Sequence, residues 1–349
     1  MAQTINRVAC SPDQIKKICL EVMPMGIPVG VEGRPGTAKS ATGKALATEF
    51  SKKFGEDFKT IMFNCAYHEP TDVVGLPFVK DGRAHMAVTD LWPTTPNNVI
   101  VVEELTKGPK LIQNALGELM LEGSLRGYKL PANTFFFVSW NSRTDGAGDT
   151  GILSHVANRM MVLSMRVDPD GTLDYGIANN WDPLVLGFLN QNKHMVFHEE
   201  TFSQNGGKFN PDRPSFPSPR SWDKVQRVVS TGLPDELEIA AVSGLVGDGA
   251  CREFVAYKQM AKEIPDINLC IKSPKTAPIP KENSIMYALV LSLTYATNAK
   301  NANSICEYIS RLRPEYLVLY AKSVAKARPD FFAAIDSKYI LKVGTAIDE

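Results

Sequence analysis

The chain is 349 residues long, enough for two domains with sizeable cores. Its 44% hydrophobic and 22% charged residues are ordinary for a globular protein, and Lys+Arg and Asp+Glu balance at 38 each, which gives no support to a bulk nucleic-acid or membrane-surface partner. The N-terminal stretch MAQTINRVACSPDQIKK lacks the apolar core of a signal peptide, and no run approaches the about 18 uninterrupted apolar residues of a membrane span. Six cysteines (Cys10, Cys19, Cys65, Cys251, Cys270 and Cys306) are scattered with no C-x-x-C pair, against a structural zinc site or a disulfide framework, so the cytoplasm is the default compartment.

In chain order, residues 11–23 predict a short amphipathic helix with Ser11 as N-cap and Pro12 as its first residue. The apolar run GIPVGV then predicts a strand, and AKSATGKALATEF a helix. Between them stands GRPGTAKS: Gly33, Arg34, Pro35, Gly36, Thr37, Ala38, Lys39 and Ser40. A strand, a glycine-bearing turn and Lys-Ser opening a helix form a phosphate-cradling loop. Turn amides and the first helical N–H groups converge on one point, where the helix dipole adds partial positive charge. Lys39 is placed to reach the β- and γ-phosphates, and the Ser40 hydroxyl to ligate Mg²⁺. Ala38 stands where the pattern G-x-x-x-x-G-K-[ST] expects its last glycine. Because alanine disfavours positive φ, the expectation is a helix-like backbone there.

FKTIMFNCA (58–66) predicts the second strand. Phe78-Val79 and Met86-Ala87-Val88 flank an Asp81-Gly82 turn, a β-hairpin signal. NNVIVVEEL (97–105) carries four consecutive β-branched residues, Val99 to Val102, as a strand buried on both faces does, and it ends in Glu103 and Glu104. After a phosphate loop, such an acid pair suits a Mg-nucleotide site: Glu103 orients Mg²⁺ through its water shell and Glu104 polarises the attacking water. Apolar residues at 111, 112, 115, 116, 119 and 120 make a helical stripe closed by Gly123. NTFFFVSWN, with its Phe135-Phe136-Phe137 run, predicts a strand ending at polar Asn141. The glycine-rich SRTDGAGDTG, the short helix ILSHVANR and the strand MMVLSMRV (160–167) follow, Met160 and Met161 reading as core. Five strands alternating with helices, polar residues at their carboxyl ends, describe an open parallel α/β sheet.

Beyond residue 168 the chain reads as helical: 181–191, a helix starting at Trp222 with Ser221 as cap, and helices near 234–247, 250–262, 282–298, 301–312 and 314–327. A polar loop spans 199–218 and a proline-rich strap 265–280. The expected division is a nucleotide-binding core (1–168), an α-helical lid (169–264) and a C-terminal helical region (265–349) that can belong with the lid. His194 and His198, four apart, have no evident third ligand and are set aside as a metal site.

These motifs, in this order, resemble the AAA+ ATPases, and more narrowly the MoxR type, over Val22 to about Val229. GRPGTAKS resembles Walker A, TDVVGLP with its hairpin the helix-2 insert, and VIVVEELTKGPKLIQNALGELMLEG Walker B with its helix. SWN resembles sensor 1, VANRMMVL the arginine-finger segment and PSPRSW sensor 2. The resemblance implies a five-stranded P-loop core with an all-α lid, ATP and Mg²⁺ as cofactors, a hexameric ring, and remodelling of a protein partner, often one with a von Willebrand factor A domain. It further implies that Asn141 contacts the γ-phosphate or the water, that Arg159 reaches a neighbour's γ-phosphate, and that Arg220 contacts the nucleotide of its own subunit. Arg143 and Arg166 are rival finger candidates, and Asn64 is expected to restrain Glu104. Glu103 stands where the family usually has Asp, one methylene shorter, which bears on hydrolysis more than on binding. The alternative is a nucleotide-switched assembly module with little turnover. A DNA-acting motor finds no support in the neutral charge balance.

Overall fold

The computed structural model describes residues 8–141, 151–197 and 214–348. The described residues divide into two compact units, one ending at Asp168 and one beginning at Pro169.

The first unit opens with β1 (Ala9–Cys10) and α1 (Pro12–Val22), followed by β2 (Val29–Glu32), α2 (Lys39–Phe54), β3 (Lys59–Asn64) and α3 (Pro70–Val74). The hairpin β4 (Leu76–Lys80) and β5 (Arg83–Ala87), β6 (Asn98–Glu103) and α4 (Lys110–Glu122) come next. A second, very short hairpin, β7 (Ser124–Leu125) and β8 (Tyr128–Lys129), precedes β9 (Thr134–Trp140), α5 (Ser154–Ala157) and β10 (Met161–Met165). The main sheet has six strands in the order β1-β10-β2-β9-β6-β3, all parallel. Five are the expected ones. The sixth, β1, has two residues, too few for any periodic signal, and pairs at the edge through Ala9 with Ser164 and Cys10 with Met165.

The continuous apolar reading of β6 is explained by helices on both faces of the sheet. Val99 and Val101 pack on one side with Ile15, Leu46, Phe50 and Phe137 from α1, α2 and β9. Ile100 and Val102 pack on the other with Ile112, Leu116 and Leu119 of α4. All four strand residues are fully buried, each contributing on the order of 2 kcal/mol from burial. Helix α2 comes close enough that a Cβ at Gly43 would lie 2.7 Å from Phe137 Cδ1 and 2.8 Å from Val101 Cγ1, so this glycine sets the depth at which the helix behind the phosphate loop seats. α1 has the expected Ser11 cap, in a full capping box with Gln14. The β4–β5 turn carries Asp81 and Gly82 at φ 51 and 70°, as a type I′ hairpin turn requires.

The second unit is helical: α6 (Pro169–Ala178), α7 (Pro183–Gln191), α8 (Pro219–Val229), α9 (Asp235–Val246), α10 (Asp248–Met260), α11 (Ile267–Lys272), α12 (Met286–Tyr295), α13 (Ala302–Ile309), α14 (Pro314–Ala327), α15 (Pro329–Phe332) and α16 (Ser337–Asp348). Two expectations are corrected. α8 starts at Pro219, not Trp222: Ser218 is its N-cap, and Ser221 sits at the third helical position, where its Oγ accepts the Ser218 N–H at 2.8 Å. The proline-rich 265–280 strap holds the helix α11, capped by Asp266. α12, α13 and α14 enclose a core of Leu289, Leu293, Ile305, Tyr308, Leu317 and Tyr320.

Candidate functional site

The phosphate loop leaves the carboxyl end of β2, with β10 on one side and β9 on the other. In open parallel sheets this end is where ligands bind. Gly36 has φ 81° and Ala38 φ 73°, ψ 19°, so two left-handed residues turn the chain back into α2. The helix-like backbone expected at Ala38 is therefore wrong. The turn needs a left-handed residue where glycine usually stands, and alanine accepts the conformation at a cost of about 1–2 kcal/mol. Its carbonyl is held by the Thr42 N–H at 2.8 Å and the Thr42 hydroxyl at 2.9 Å. The first N–H groups of a helix have no partner in the helical ladder, which is the general reason such a turn suits an anion. Within the loop the Thr37 hydroxyl donates to the Arg34 carbonyl at 2.8 Å.

Lys39, 9% exposed, opens α2 and folds its ammonium into the turn. Nζ donates to the carbonyls of Gly33 at 2.6 Å and Arg34 at 2.8 Å, and to Asn141 Oδ1 at 2.9 Å. Asn141 follows β9, directly beside the loop, and its Nδ2 reaches the Glu104 carboxylate in long contacts of 3.3 and 3.4 Å. Glu104 itself has φ 55°, ψ 41°, a left-handed kink just after β6, and Lys107 Nζ lies 2.9 Å from its Oε2. A chain of charge-assisted contacts thus runs from the loop lysine through Asn141 to Glu104 and Lys107. The last link, Lys107, went unread in the sequence, although three residues beyond an acid is a spacing that lets two side chains meet.

Glu103 ends β6, paired in register with Asn64 of β3, and its carbonyl accepts the Cys65 N–H at 2.9 Å. Asn64 does not restrain Glu104 here: its Oδ1 accepts the Ala66 N–H at 2.9 Å, closing a local turn, while Asn141 and Lys107 meet the carboxylate. Burial pushes the neighbouring Cys65 thiol up to about 12, with Glu104's charge adding to it, so this cysteine is no nucleophile.

Among the described residues, no group of three His, Cys, Asp or Glu side chains could hold a metal ion alone. His194 lies in the second unit and His198 outside the described residues. Ser40, second in α2, supplies a hydroxyl in the first turn of that helix, and Glu103 a carboxylate at the end of β6. That oxygen donor set suits Mg²⁺ completing its shell with water and phosphate.

The arginines separate. Arg159 follows α5 in the first unit and is half-buried, its guanidinium lying along α4 where Gly117 has no side chain. Arg166 is exposed beyond β10, its backbone N–H on the Cys10 carbonyl, and Arg143 lies outside the described residues. Arg220, exposed in the first turn of α8, belongs to the second unit.

A parallel α/β sheet, a glycine-bearing loop turning into a helix at its central strand, and acids at the end of a strand one removed define the P-loop nucleotide-binding class of fold. No protein-family model matches the sequence, and the search of curated proteins gives no match. Among solved structures, the chain is similar to the RuvB Holliday junction branch migration motor of Thermotoga maritima, 13% identical over 86% of this chain and 86% of that one, with a TM-score of 0.37. It is also similar to NtrX from Brucella abortus in complex with ADP, 13% identical over 97% of this chain and 68% of that one, with a TM-score of 0.36. Similarity at this level identifies no substrate and no partner. No helix among the described residues is long and apolar enough to cross a membrane.

Proposed function

We propose that this chain is a Mg-ATP-dependent ATPase of the AAA+ class, MoxR-like, that assembles into a ring and remodels a partner protein in a chaperone-like manner. The observation that carries the reading is the contact chain Lys39–Asn141–Glu104, which joins a phosphate-binding lysine, a strand-end amide and an acid at the carboxyl end of the sheet. With nucleotide in the loop, Lys39 exchanges its carbonyl partners for phosphate oxygens and the loop amides hold the rest of the charge. Ser40 and Glu103 are the residues that would hold Mg²⁺, whose chemistry is to neutralise charge on the phosphates. Glu104 takes the proton of the attacking water, and Asn141 orients it. Arg159 of a neighbouring subunit and Arg220 of the same subunit stabilise charge at the transferring group. We place the ring as a hexamer in the cytoplasm, in keeping with six free cysteines, and its partner as a protein, with a von Willebrand factor A domain as the first candidate. The test is steady-state ATP turnover by wild type, Lys39→Ala and Glu104→Gln. Equal rates in all three overturn the enzyme reading.

One observation favours a second reading. Lys107 pairs with one carboxylate oxygen of Glu104, the group proposed to activate water, and Glu103 is one methylene longer than aspartate. A nucleotide-switched assembly module would then bind ATP and recruit its partner with negligible turnover, and Glu103→Asp would restore hydrolysis.

A further inference from the structure

Helix α4 connects the acid pair to Arg159 through a set of contacts that the core does not require. Gln113 is fully buried, and its side chain bonds to backbone groups of two segments. Nε2 donates to the Gly108 carbonyl at 3.3 Å and to the Gly151 carbonyl at 3.1 Å, while Oε1 accepts the Leu153 N–H at 3.1 Å. The amide therefore grips both the turn that follows Glu104 and the segment that leads to Arg159. One residue on, Asn114 Oδ1 lies 2.8 Å from His155 Nε2, a second clamp on α5. One turn further, the buried Gly117 leaves the space that the arginine occupies: a Cβ there would stand 2.9 Å from Arg159 Nη1, 3.8 Å from its Cδ and 3.1 Å from Val156 Cγ2.

Glycine inside a helix is destabilising relative to alanine, and the backbone of Gly117 has no need of a left-handed conformation. Room for the guanidinium is what this position provides. Residues 113, 114 and 117 share one face of α4, and all three hold the segment 151–159.

We infer that Gln113 and Gly117 are positioning residues that set where the Arg159 guanidinium is presented. They tie that position to the turn beside Glu104, so that one subunit's hydrolytic site is linked to the arginine it offers its neighbour. This rests on the reading of Arg159 as the residue acting across the subunit boundary. The contacts that do the tying are within one subunit, and the effect is read in the next.

Gly117→Ala is a mild probe, because the atom it displaces is the far end of a flexible side chain while the helix gains propensity. Turnover is measured for Gly117→Ala, Arg159→Ala and Glu104→Gln, each alone and in equimolar mixtures with Glu104→Gln. Alone, Arg159→Ala loses about 10³-fold or more in kcat. Gly117→Ala loses about 10–100-fold with KM for ATP little changed, the size expected of a reacting group misplaced by about 1 Å. Mixed with Glu104→Gln, both arginine-side variants regain turnover, because their intact acids meet an intact Arg159 from the neighbour. Wild-type kcat for Gly117→Ala, or recovery in the Arg159→Ala mixture but not in the Gly117→Ala mixture, overturns the inference. Failure of the Arg159→Ala mixture to recover overturns the finger reading, and the inference falls with it. Gln113→Leu gives a second measurement: amide hydrogen exchange across 151–160 speeds up if Gln113 fixes this segment, and unchanged exchange removes it from the inference.

Discussion

The two units handle unfavourable local chemistry in opposite ways. Of seven non-glycine residues with positive φ among the described residues, six lie in the first unit (Ala38, Asp81, Asn97, Glu104, Arg126 and Asn133) and only Asn180 in the second. Two of the six, Ala38 and Glu104, flank the proposed nucleotide site. The second unit instead keeps regular helices and places its difficulties inside them. Glu238 is buried against Lys258 Nζ at 2.6 Å, and Thr297 Oγ1 meets the Tyr320 hydroxyl at 2.9 Å. Backbone strain held by surrounding contacts is a mark of sites that bind and react, whereas buried pairs in a helical core fix its packing. The strained backbone thus gathers in the first unit, with Ala38 and Glu104 at the loop and the acid pair, and substitutions there and in the helical core of the second unit should separate activity from stability.

The largest effect is expected at Glu104. Glu104→Gln keeps the shape and the contact with Asn141 but removes the base, so turnover falls by about 10²–10⁴-fold while nucleotide affinity is retained. Single-turnover kinetics beside equilibrium ATP binding checks both halves. Loss of binding together with turnover would mean that the left-handed turn at Glu104 is structural. In the second unit, Lys258→Met leaves the Glu238 carboxylate buried with its cation gone, its side chain being 7% exposed. Breaking such a pair from one side costs about 3 kcal/mol, read by urea denaturation, with turnover per folded molecule unchanged. A drop in turnover without a drop in stability would reverse the comparison.

Glu103 tests the metal side of the site on a smaller scale. Its backbone is pinned by the β3 pairing and the Cys65 N–H, so the side chain alone adjusts to a metal. Glu103→Gln is expected to raise the Mg²⁺ concentration needed for half-maximal turnover by about tenfold, or roughly 1.4 kcal/mol, and to leave Mg-free ADP binding intact.

Where the sequence is legible, local pattern and tertiary role coincide. The run Val99 to Val102 reads as a buried strand because helices cover both faces of the sheet, and Asp81-Gly82 reads as a hairpin because both letters tolerate the positive φ that a two-residue hairpin turn requires. Lys39, Glu104 and Asn141 are readable because they follow strands in a fixed order, Lys39 at the start of the helix after β2 and the other two at strand ends, and the structure joins them in a chain of contacts. What was hidden depends either on a choice between equivalent local bonds or on partners far away in sequence. Ser218 and Ser221 are both acceptable caps, and only the reciprocal bond chooses between them. The seat of Arg159 is formed by Gly117, 42 positions earlier, and an isolated glycine in a helical stripe gives only a weak hint of close approach. Gln113 sits beside an apolar stripe, and its role emerges only from its bonds to Gly151 and Leu153, 38 and 40 residues away.

Ala38 is the finest test of the comparison, because there the letter and the conformation disagree. If the loop is strained as its φ of 73° implies, Ala38→Gly removes about 1–2 kcal/mol of left-handed strain, while the freer unfolded chain takes back about 0.5–1 kcal/mol. The net is a gain of about 0.5 kcal/mol, or a Tm rise of about 1–2 °C. Gly36→Ala, at φ 81°, is the mirror experiment and should lower stability by about 1–2 kcal/mol. The pair also bears on function. Lys39 takes its direction from this turn through the Gly33 and Arg34 carbonyls, so a glycine at 38 frees the lysine's anchor even as it relieves the fold. Ala38→Gly should therefore raise Tm slightly while weakening ADP binding by a factor of about two to three, since a looser loop must be ordered when phosphate arrives. A rise in both stability and affinity would show that the strain at Ala38 serves no purpose in holding the loop ready.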